Sequence, residues 1–192
     1  PRDDFYLSVC RLVPNKRVDL LVRAFNRLHL PLIIVGDGPE KAFLKNLAGP
    51  TVQILGFQGK EKIEDLMSQC RAFVYAGIED FGIAPVEAMA AGAPVIAFGR
   101  GGVLDTVRCL NSNSDKGATG LLFSAQTVNS LTEAIEFFKE KKLWRNLNPE
   151  LIREWANSFS QDSFKSRFET TINRAWTEHK KYCDISTSDL IS

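Results

Sequence analysis

Short, almost uninterrupted apolar runs alternate with longer amphipathic segments over the first two thirds of the chain. The apolar runs end in glycine, proline or charged residues, as short strands do. They predict six strands, at residues 5–12, 31–36, 51–56, 71–76, 94–99 and 119–123. The segments between them carry apolar residues at helical spacing, such as Val18, Leu21 and Phe25, and therefore predict helices.

The six apolar runs do not alternate with polar residues, which is typical of strands that are buried on both faces. Strands that alternate with helices along a chain form parallel sheets. We therefore expect an α/β fold: a doubly wound, mostly parallel, six-stranded Rossmann-like sheet with helices on both faces.

From residue 127 onward the pattern is helical throughout. Asn148 and Pro149 are a helix cap and a first helical residue, and residues 163–176 carry one apolar stripe. The prediction is a helical C-terminal segment, with residues 1–182 in one domain and 183–192 as a flexible tail.

The amino-acid composition limits the classes of partner that the chain is expected to bind. Lysine plus arginine total 24 and aspartate plus glutamate 23, a net charge of +1 that gives no footprint for nucleic acid. No run of about 18 apolar residues predicts a membrane span. The four cysteines are too far apart in sequence for a metal pair and fit a reducing, cytoplasmic compartment. For the basic stretch 139–142, contact with the inner face of a membrane is left open beside the plainer interpretation of a solvated helix end.

The residues that follow each strand are the candidate site, because ligands of open parallel sheets bind beyond the carboxyl ends of the strands. Arg11 and Lys16 follow the first strand, and both side chains suit phosphate oxygens. The alternative is that they are ordinary solvated surface charges. Gly36 and Gly38 follow the second strand, where glycine lets a ligand approach the backbone.

The stretch "EDFGIAPVE", from Glu79 to Glu87, follows the fourth strand. A helix that starts near Ile83 directs the amides of Phe81, Gly82 and Ile83 at an anion above the sheet. The two carboxylates are suited to hydroxyls on different parts of one ligand, such as a ribose and a second polyol. The alternative is a charge near the helix start for Glu79 and a solvated side chain for Glu87.

The stretch "EDFGIAPVEAMAAGAPVIA" resembles the E-x7-E motif of family 4 retaining glycosyltransferases, which have two Rossmann-like domains (the GT-B fold). Four further segments match in order: "FYLSVCRLVPNKRVDLLVRAF", "PLIIVGDGPE", "VQILGF" and "GGVLDTV" with "TGLLF". The resemblance covers most of the chain and implies the C-terminal, donor-binding domain of such an enzyme. It departs from the family at Asp105, where glutamate is common, and in a long loop at residues 108–118.

The resemblance also implies roles. Arg11 and Lys16 would bind the donor diphosphate, Glu87 the ribose, and Glu79 would lie beside the donor sugar. Further donor contacts would come from Phe57 near the base, from the amides of Phe81, Gly82 and Ile83, and from Gly36 and Gly38.

The implied reaction transfers a hexose from a UDP- or GDP-sugar to a hydroxyl with retention. No D-x-D triplet is present, so we expect no metal and no cofactor beyond the donor. A sugar or lipid-linked acceptor would be bound by an N-terminal domain that this sequence does not supply, and the first residue, Pro1, indicates a piece of a longer protein or a processed terminus. The alternatives are a non-catalytic nucleotide-sugar sensor and a nucleotide-sugar epimerase or phosphorylase.

Overall fold

The computed structural model describes residues 2–110 and 117–188, with side chains up to residue 181. Its six strands form one sheet in which every neighbouring pair is parallel. The strands are β1 (Tyr6–Val9), β2 (Leu32–Val35), β3 (Val52–Gly56), β4 (Ala72–Tyr75), β5 (Val95–Phe98) and β6 (Gly120–Phe123). Their spatial order is β3-β2-β1-β4-β5-β6. This is the order of a doubly wound Rossmann sheet, and it confirms the predicted fold.

Helices follow each of the strands. They are α1 (Val18–Leu28), α2 (Lys41–Leu47), α3 (Lys60–Gln69), α4 (Ile83–Ala90), α5 (Val103–Thr106), α6 (Val128–Glu140), α7 (Leu143–Asn146), α8 (Pro149–Asn157) and α9 (Gln161–Ser188), and a 3₁₀ turn at Pro14–Lys16 precedes α1. α1 packs against α2 and α6, whereas α3 packs against α4. Right-handed crossovers that run in opposite directions from the central strand place such helices on opposite faces of the sheet.

Burial explains why these segments are strands. Every residue of β4 and of β5 is buried, and the aromatic rings of Tyr6 and Phe25 meet edge to face at 5.1 Å in the core. A strand covered on both faces has no polar side, which is why its sequence does not alternate. The predicted first strand, 5–12, is longer than observed, because the chain leaves the sheet after Val9 and turns into the loop that carries Arg11.

The chain divides into two compact units, residues 1–156 and 157–192. The first contains the sheet, and within it the Asn148 side chain accepts a hydrogen bond from the Glu150 amide at 2.9 Å, as expected of a helix cap. The second contains α9, on which Phe164 and Phe168 stack and remain more than half exposed. α9 continues to Ser188, six residues into the segment expected to be a tail, and residues 189–192 lie outside the described part.

The long loop at residues 108–118 falls largely on residues 111–116, which also lie outside the described residues. The domain boundary at residue 182 stays a prediction.

Candidate functional site

A cavity of about 620 Å³ opens at the carboxyl edge of the sheet, where β1 to β4 end. Because β1 lies between β2 and β4, the strand order reverses at this point, which is where open parallel sheets bind ligands. Charged side chains reach the cavity from three loops and from α4; they are Arg11, Lys16, Asp37, Glu79 and Glu87. Cations and carboxylates therefore line the same cavity, which suits a ligand that carries both phosphate and hydroxyl groups.

The loop after β1 supplies both cations of the cavity. Arg11 is exposed, and Lys16 ends the 3₁₀ turn. The next residue, Arg17, adopts a left-handed conformation with φ 51° and donates to the Gln126 side chain at 3.4 Å. Gln126 in turn donates to the Ala76 carbonyl at 2.7 Å. Arg17 thus links the loops after β1, β4 and β6, whereas Arg11 and Lys16 line the cavity.

The loop after β2 is packed tightly on the loop after β1. The Leu12 amide donates to the Asp37 carbonyl at 2.9 Å. Gly36 has φ 147°, and a Cβ atom placed on it would overlap the Cys10 carbonyl oxygen. A Cβ atom on Gly38 would overlap the Leu12 carbonyl oxygen in the same way. Both glycines therefore let two loops approach each other, and only Gly36 also lines the cavity.

Glu79 is held by two donors on one oxygen. The Tyr75 hydroxyl donates to Glu79 Oε1 at 2.6 Å, and the Lys16 ammonium forms an ion pair with the same atom. Burial, and then the neighbouring Cys10 thiol, raise the pKa of Tyr75 above its ordinary value, so its hydroxyl stays protonated and can donate. The side chains of Lys16 and Glu79 are only 17% and 29% exposed, so this pair is less screened than a surface ion pair.

The loop after β5 supports the segment that contains Glu79. The Gly102 amide donates to the Glu79 carbonyl at 2.7 Å. A Cβ atom on Gly102 would lie 2.5 Å from Phe81 Cα, and one on Gly101 would overlap the Glu79 carbonyl oxygen. These glycines therefore permit close contact between two loops.

The start of α4 is set by Gly82, which is buried and takes the left-handed cap conformation with φ 85°. Ile83 follows as the first helical residue, is 65% exposed and lines the cavity. Phe81 is 44% exposed and does not contribute to the lining. First-turn amides of a helix have no partners within the helix, so this end of α4 favours an anion.

The residues after β3 and on α3 also line the cavity. They are Phe57, which is 80% exposed, Gln58 and Ile63. A second groove, of about 640 Å³, shares these residues and Glu87 and continues between α3 and α4 to Ala91. This groove is large enough to hold an aromatic ring beside the Glu87 carboxylate.

Two further groups at the cavity have perturbed pKa values. The Lys41 ammonium, 2.6 Å from Asp37 Oδ2, and the Gly38 amide lower the pKa of Asp37. Burial raises the pKa of the Cys10 thiol to about 11, although nearby Lys16 acts in the opposite direction. The thiol is therefore neutral at physiological pH.

The structure brings most of the predicted site residues to one place. Those that line the cavity are Arg11, Lys16, Gly36, Phe57, Glu79, Ile83 and Glu87. Gly38, Phe81 and Gly82 do not line it. Asp105, the departure from the family pattern, lies exposed on α5. Sequence reasoning missed Tyr75, Cys10, Asp37 and Gln58; the signal for Tyr75 was its position as the last residue of a buried strand.

Among the side chains that the structure describes, in residues 2–110 and 117–181, no cluster of histidine, cysteine and acidic groups could hold a metal ion. In the same residues, no helix has the length and apolar character needed to cross a membrane. The expectation of a metal-free reaction stays a prediction.

Known proteins share both the sequence pattern and the fold. Curated relatives include the α-1,3/1,6-mannosyltransferase ALG2 of Candida glabrata, 31% identical over 218 residues, with 90% of this chain and 47% of the relative covered. N-acetyl-α-D-glucosaminyl L-malate synthase of Bacillus anthracis is 29% identical over 166 residues, with 81% and 41% covered. The chain thus spans less than half the length of these relatives.

Among solved structures, HepE of Anabaena in complex with UDP and glucose superposes with a TM-score of 0.72 at 24% identity, over 90% of this chain and 48% of that one. Sucrose-phosphate synthase of Thermosynechococcus elongatus gives a TM-score of 0.74 at 25% identity, over 93% and 47%. The family model of glycosyl transferases group 1 matches residues 1–157. This chain therefore belongs to the glycosyl transferases group 1 family.

Proposed function

We propose that this chain is the donor-binding half of a retaining hexosyltransferase, and that its cavity binds a UDP- or GDP-sugar. The observation that carries the proposal is the convergence of Arg11 and Lys16 with Glu79 and Glu87 on one cavity at the reversal of strand order. A nucleotide sugar presents a diphosphate, a ribose and a hexose, which need cations and hydroxyl acceptors at separate positions.

The diphosphate is assigned to the side of the cavity that holds Arg11, Lys16 and the start of α4. Arg11 offers a planar fork and Lys16 a compact charge, and the exposed first turn of the helix adds its partial positive charge. Charge grows on the diphosphate as its bond to the sugar breaks, so the same groups would stabilise the transition state.

The nucleoside is assigned to the other side of the cavity. Glu87 lies between the main cavity and the groove of α3 and α4, so its carboxylate can accept from the ribose hydroxyls while the base contacts Phe57. Glu79, on the loop after β4, is then left for the hydroxyls of the transferred sugar. UDP appears with the solved relative HepE, and a relative from Corynebacterium glutamicum is named for GDP-mannose, which supports testing both bases.

In the proposed reaction, the bond between the anomeric carbon and the diphosphate oxygen breaks with its electron pair leaving on the diphosphate. The acceptor hydroxyl oxygen forms the new bond, and its proton is released. The acceptor, a sugar or a lipid-linked sugar, would be held by a preceding domain. We assign residues 1–182 to the donor-binding domain.

Calorimetry on the 192-residue chain with UDP, GDP, uridine and guanosine tests this proposal. Arg11→Ala and Lys16→Ala should each weaken the diphosphate by about 10- to 100-fold, since a hydrogen bond to a charged group contributes about 1.5–3 kcal/mol. Neither variant should change nucleoside binding by more than about twofold.

The matched controls are Arg23→Ala and Lys139→Ala, which remove exposed cations from α1 and α6. They should leave all four affinities unchanged. The proposal fails if neither nucleoside diphosphate binds the wild-type chain, or if the Arg11 and Lys16 variants weaken nucleoside and diphosphate equally.

A further inference from the structure

Glu79 is the acid assigned to the donor sugar, and its orientation depends on two contacts of different character. Tyr75 and Lys16 both engage Oε1, so neither donor uses the other carboxylate oxygen, Oε2. A carboxylate fixed at one oxygen presents the second in a defined direction. Whatever holds Oε1 therefore decides where Oε2 can accept a hydrogen bond.

Tyr75 is the rigid member of the pair. It is 2% exposed, ends β4 and is in register with Ala97 of β5. Gly77 packs over it so closely that an added Cβ atom would lie 2.8 Å from the Tyr75 hydroxyl oxygen. With its backbone in the sheet and its ring buried, Tyr75 has little freedom to move its hydroxyl away from Glu79.

Lys16 is the exchangeable member. Its ammonium carries three donors on a flexible stem, and it lies in a loop rather than in the sheet. Under the proposed function, a bound diphosphate attracts this ammonium. The more Lys16 turns to phosphate, the less it constrains Glu79, so the orientation of the carboxylate then depends on Tyr75.

We propose that Tyr75 is a positioning residue that holds the Glu79 carboxylate in place for a hydroxyl of the donor sugar while Lys16 binds the diphosphate. This inference rests on the proposed function and adds to it a residue with no assigned role. A neutral hydroxyl suits the task, because it fixes a carboxylate beside a diphosphate without competing as a second cation for the phosphate oxygens.

The test compares UDP with UDP-glucose and GDP with GDP-mannose, using calorimetry on the 192-residue chain. Tyr75→Phe removes the hydroxyl and keeps the ring. It should leave the diphosphate affinity within about twofold and weaken the sugar nucleotide by about three- to tenfold, the size expected for one hydrogen bond. Tyr6→Phe is the matched control, since it removes another buried tyrosine hydroxyl, from the first residue of β1. It should change neither affinity.

A double-mutant cycle with Glu79→Gln separates positioning from a general effect on the fold. If Tyr75 acts through Glu79, the double variant should show no greater loss of sugar-nucleotide affinity than Glu79→Gln alone. Additive losses in the double variant would overturn the inference. Equal weakening of the diphosphate and the sugar nucleotide by Tyr75→Phe, which leaves the ratio of the two affinities unchanged, would overturn it as well. Absence of diphosphate binding by the wild-type chain would instead overturn the proposed function, and the inference with it.

Discussion

Gly36→Ala should destabilise the protein before any ligand is present. The substitution puts a methyl group into the carbonyl oxygen of Cys10 and 3.0 Å from its carbonyl carbon, at a position with φ 147°. Both obstacles are backbone, so no side-chain rotation relieves them. The loops after β1 and β2 must separate by on the order of 1 Å.

The cost follows from two contributions. A non-glycine residue in this sparsely populated backbone region costs about 1–3 kcal/mol. Forcing an extra methyl group into a packed contact costs about 1–3 kcal/mol more. The expected loss is therefore about 2–6 kcal/mol of unfolding free energy, a large part of the stability of an ordinary domain.

Two other glycines provide controls. Gly56 has φ 78°, but its added Cβ atom would meet only the end of the long Lys41 side chain, at 3.1 Å from Nζ, which can shift by a few tenths of an ångström, so Gly56→Ala should show mainly the conformational cost, about 1–2 kcal/mol. Gly59 has φ −69° and open space, so Gly59→Ala should stay within about 0.5 kcal/mol of wild type.

Urea unfolding of the ligand-free variants, followed by tryptophan fluorescence, measures these differences. The order of loss should be Gly36, then Gly56, then Gly59. A Gly36→Ala protein as stable as wild type that has nonetheless lost nucleotide binding would refute the reasoning. It would show that the glycine makes room for a ligand and not for the neighbouring loop.

Two further predictions concern the proposed ribose contact of Glu87 and the buried thiol of Cys70. Glu87→Ala should weaken UDP or GDP by about tenfold and leave the 2′-deoxy analogue unchanged, because the ribose hydroxyl loses the carboxylate that accepts its hydrogen bond; equal weakening of both nucleotides in calorimetry would contradict the assignment. Burial raises the pKa of Cys70 from 9.0 to about 12 in the folded chain, so its contribution to stability is present below pH 9 and lost between about pH 9 and 12. Urea unfolding should show a shallower decline in this window for Cys70→Ala than for wild type, and an identical slope would contradict the shift.

The sequence was sufficient to predict the sheet, because burial on both faces leaves a continuous apolar run in strands such as β4 and β5. It also identified Arg11, Lys16, Glu79 and Glu87 among the charged residues that line the cavity, because they lie in or just after the loops that follow strand ends, whereas Asp37 was missed. The same rule could not separate Tyr75 from the apolar residues around it. In the sequence, a tyrosine within an apolar run cannot be distinguished from a core residue. Its hydrogen-bond partner, Glu79, is identified only when the structure places the loop after β4.

The glycines of the site show the same limit of sequence-based prediction. From the sequence alone, Gly36 and Gly38 are interpreted as space for a ligand, because a glycine after a strand has that use. An added Cβ atom at these positions would instead overlap the carbonyl oxygens of Cys10 and Leu12, which belong to the loop after β1. Contacts of this kind depend on the relative position of two loops, which no local pattern specifies.

The close loop contacts at Gly36, Gly101 and Gly102 bear on how this site could be redesigned. Positions where backbone meets backbone admit no new side chain, so libraries randomised there would mostly yield proteins that do not fold. Phe57 and Ile83, by contrast, line the cavity with side chains that are 80% and 65% exposed. Under the proposed function, variation in nucleotide selectivity, by laboratory evolution or by natural drift, should therefore concentrate at such exposed lining positions and leave the close loop contacts unchanged.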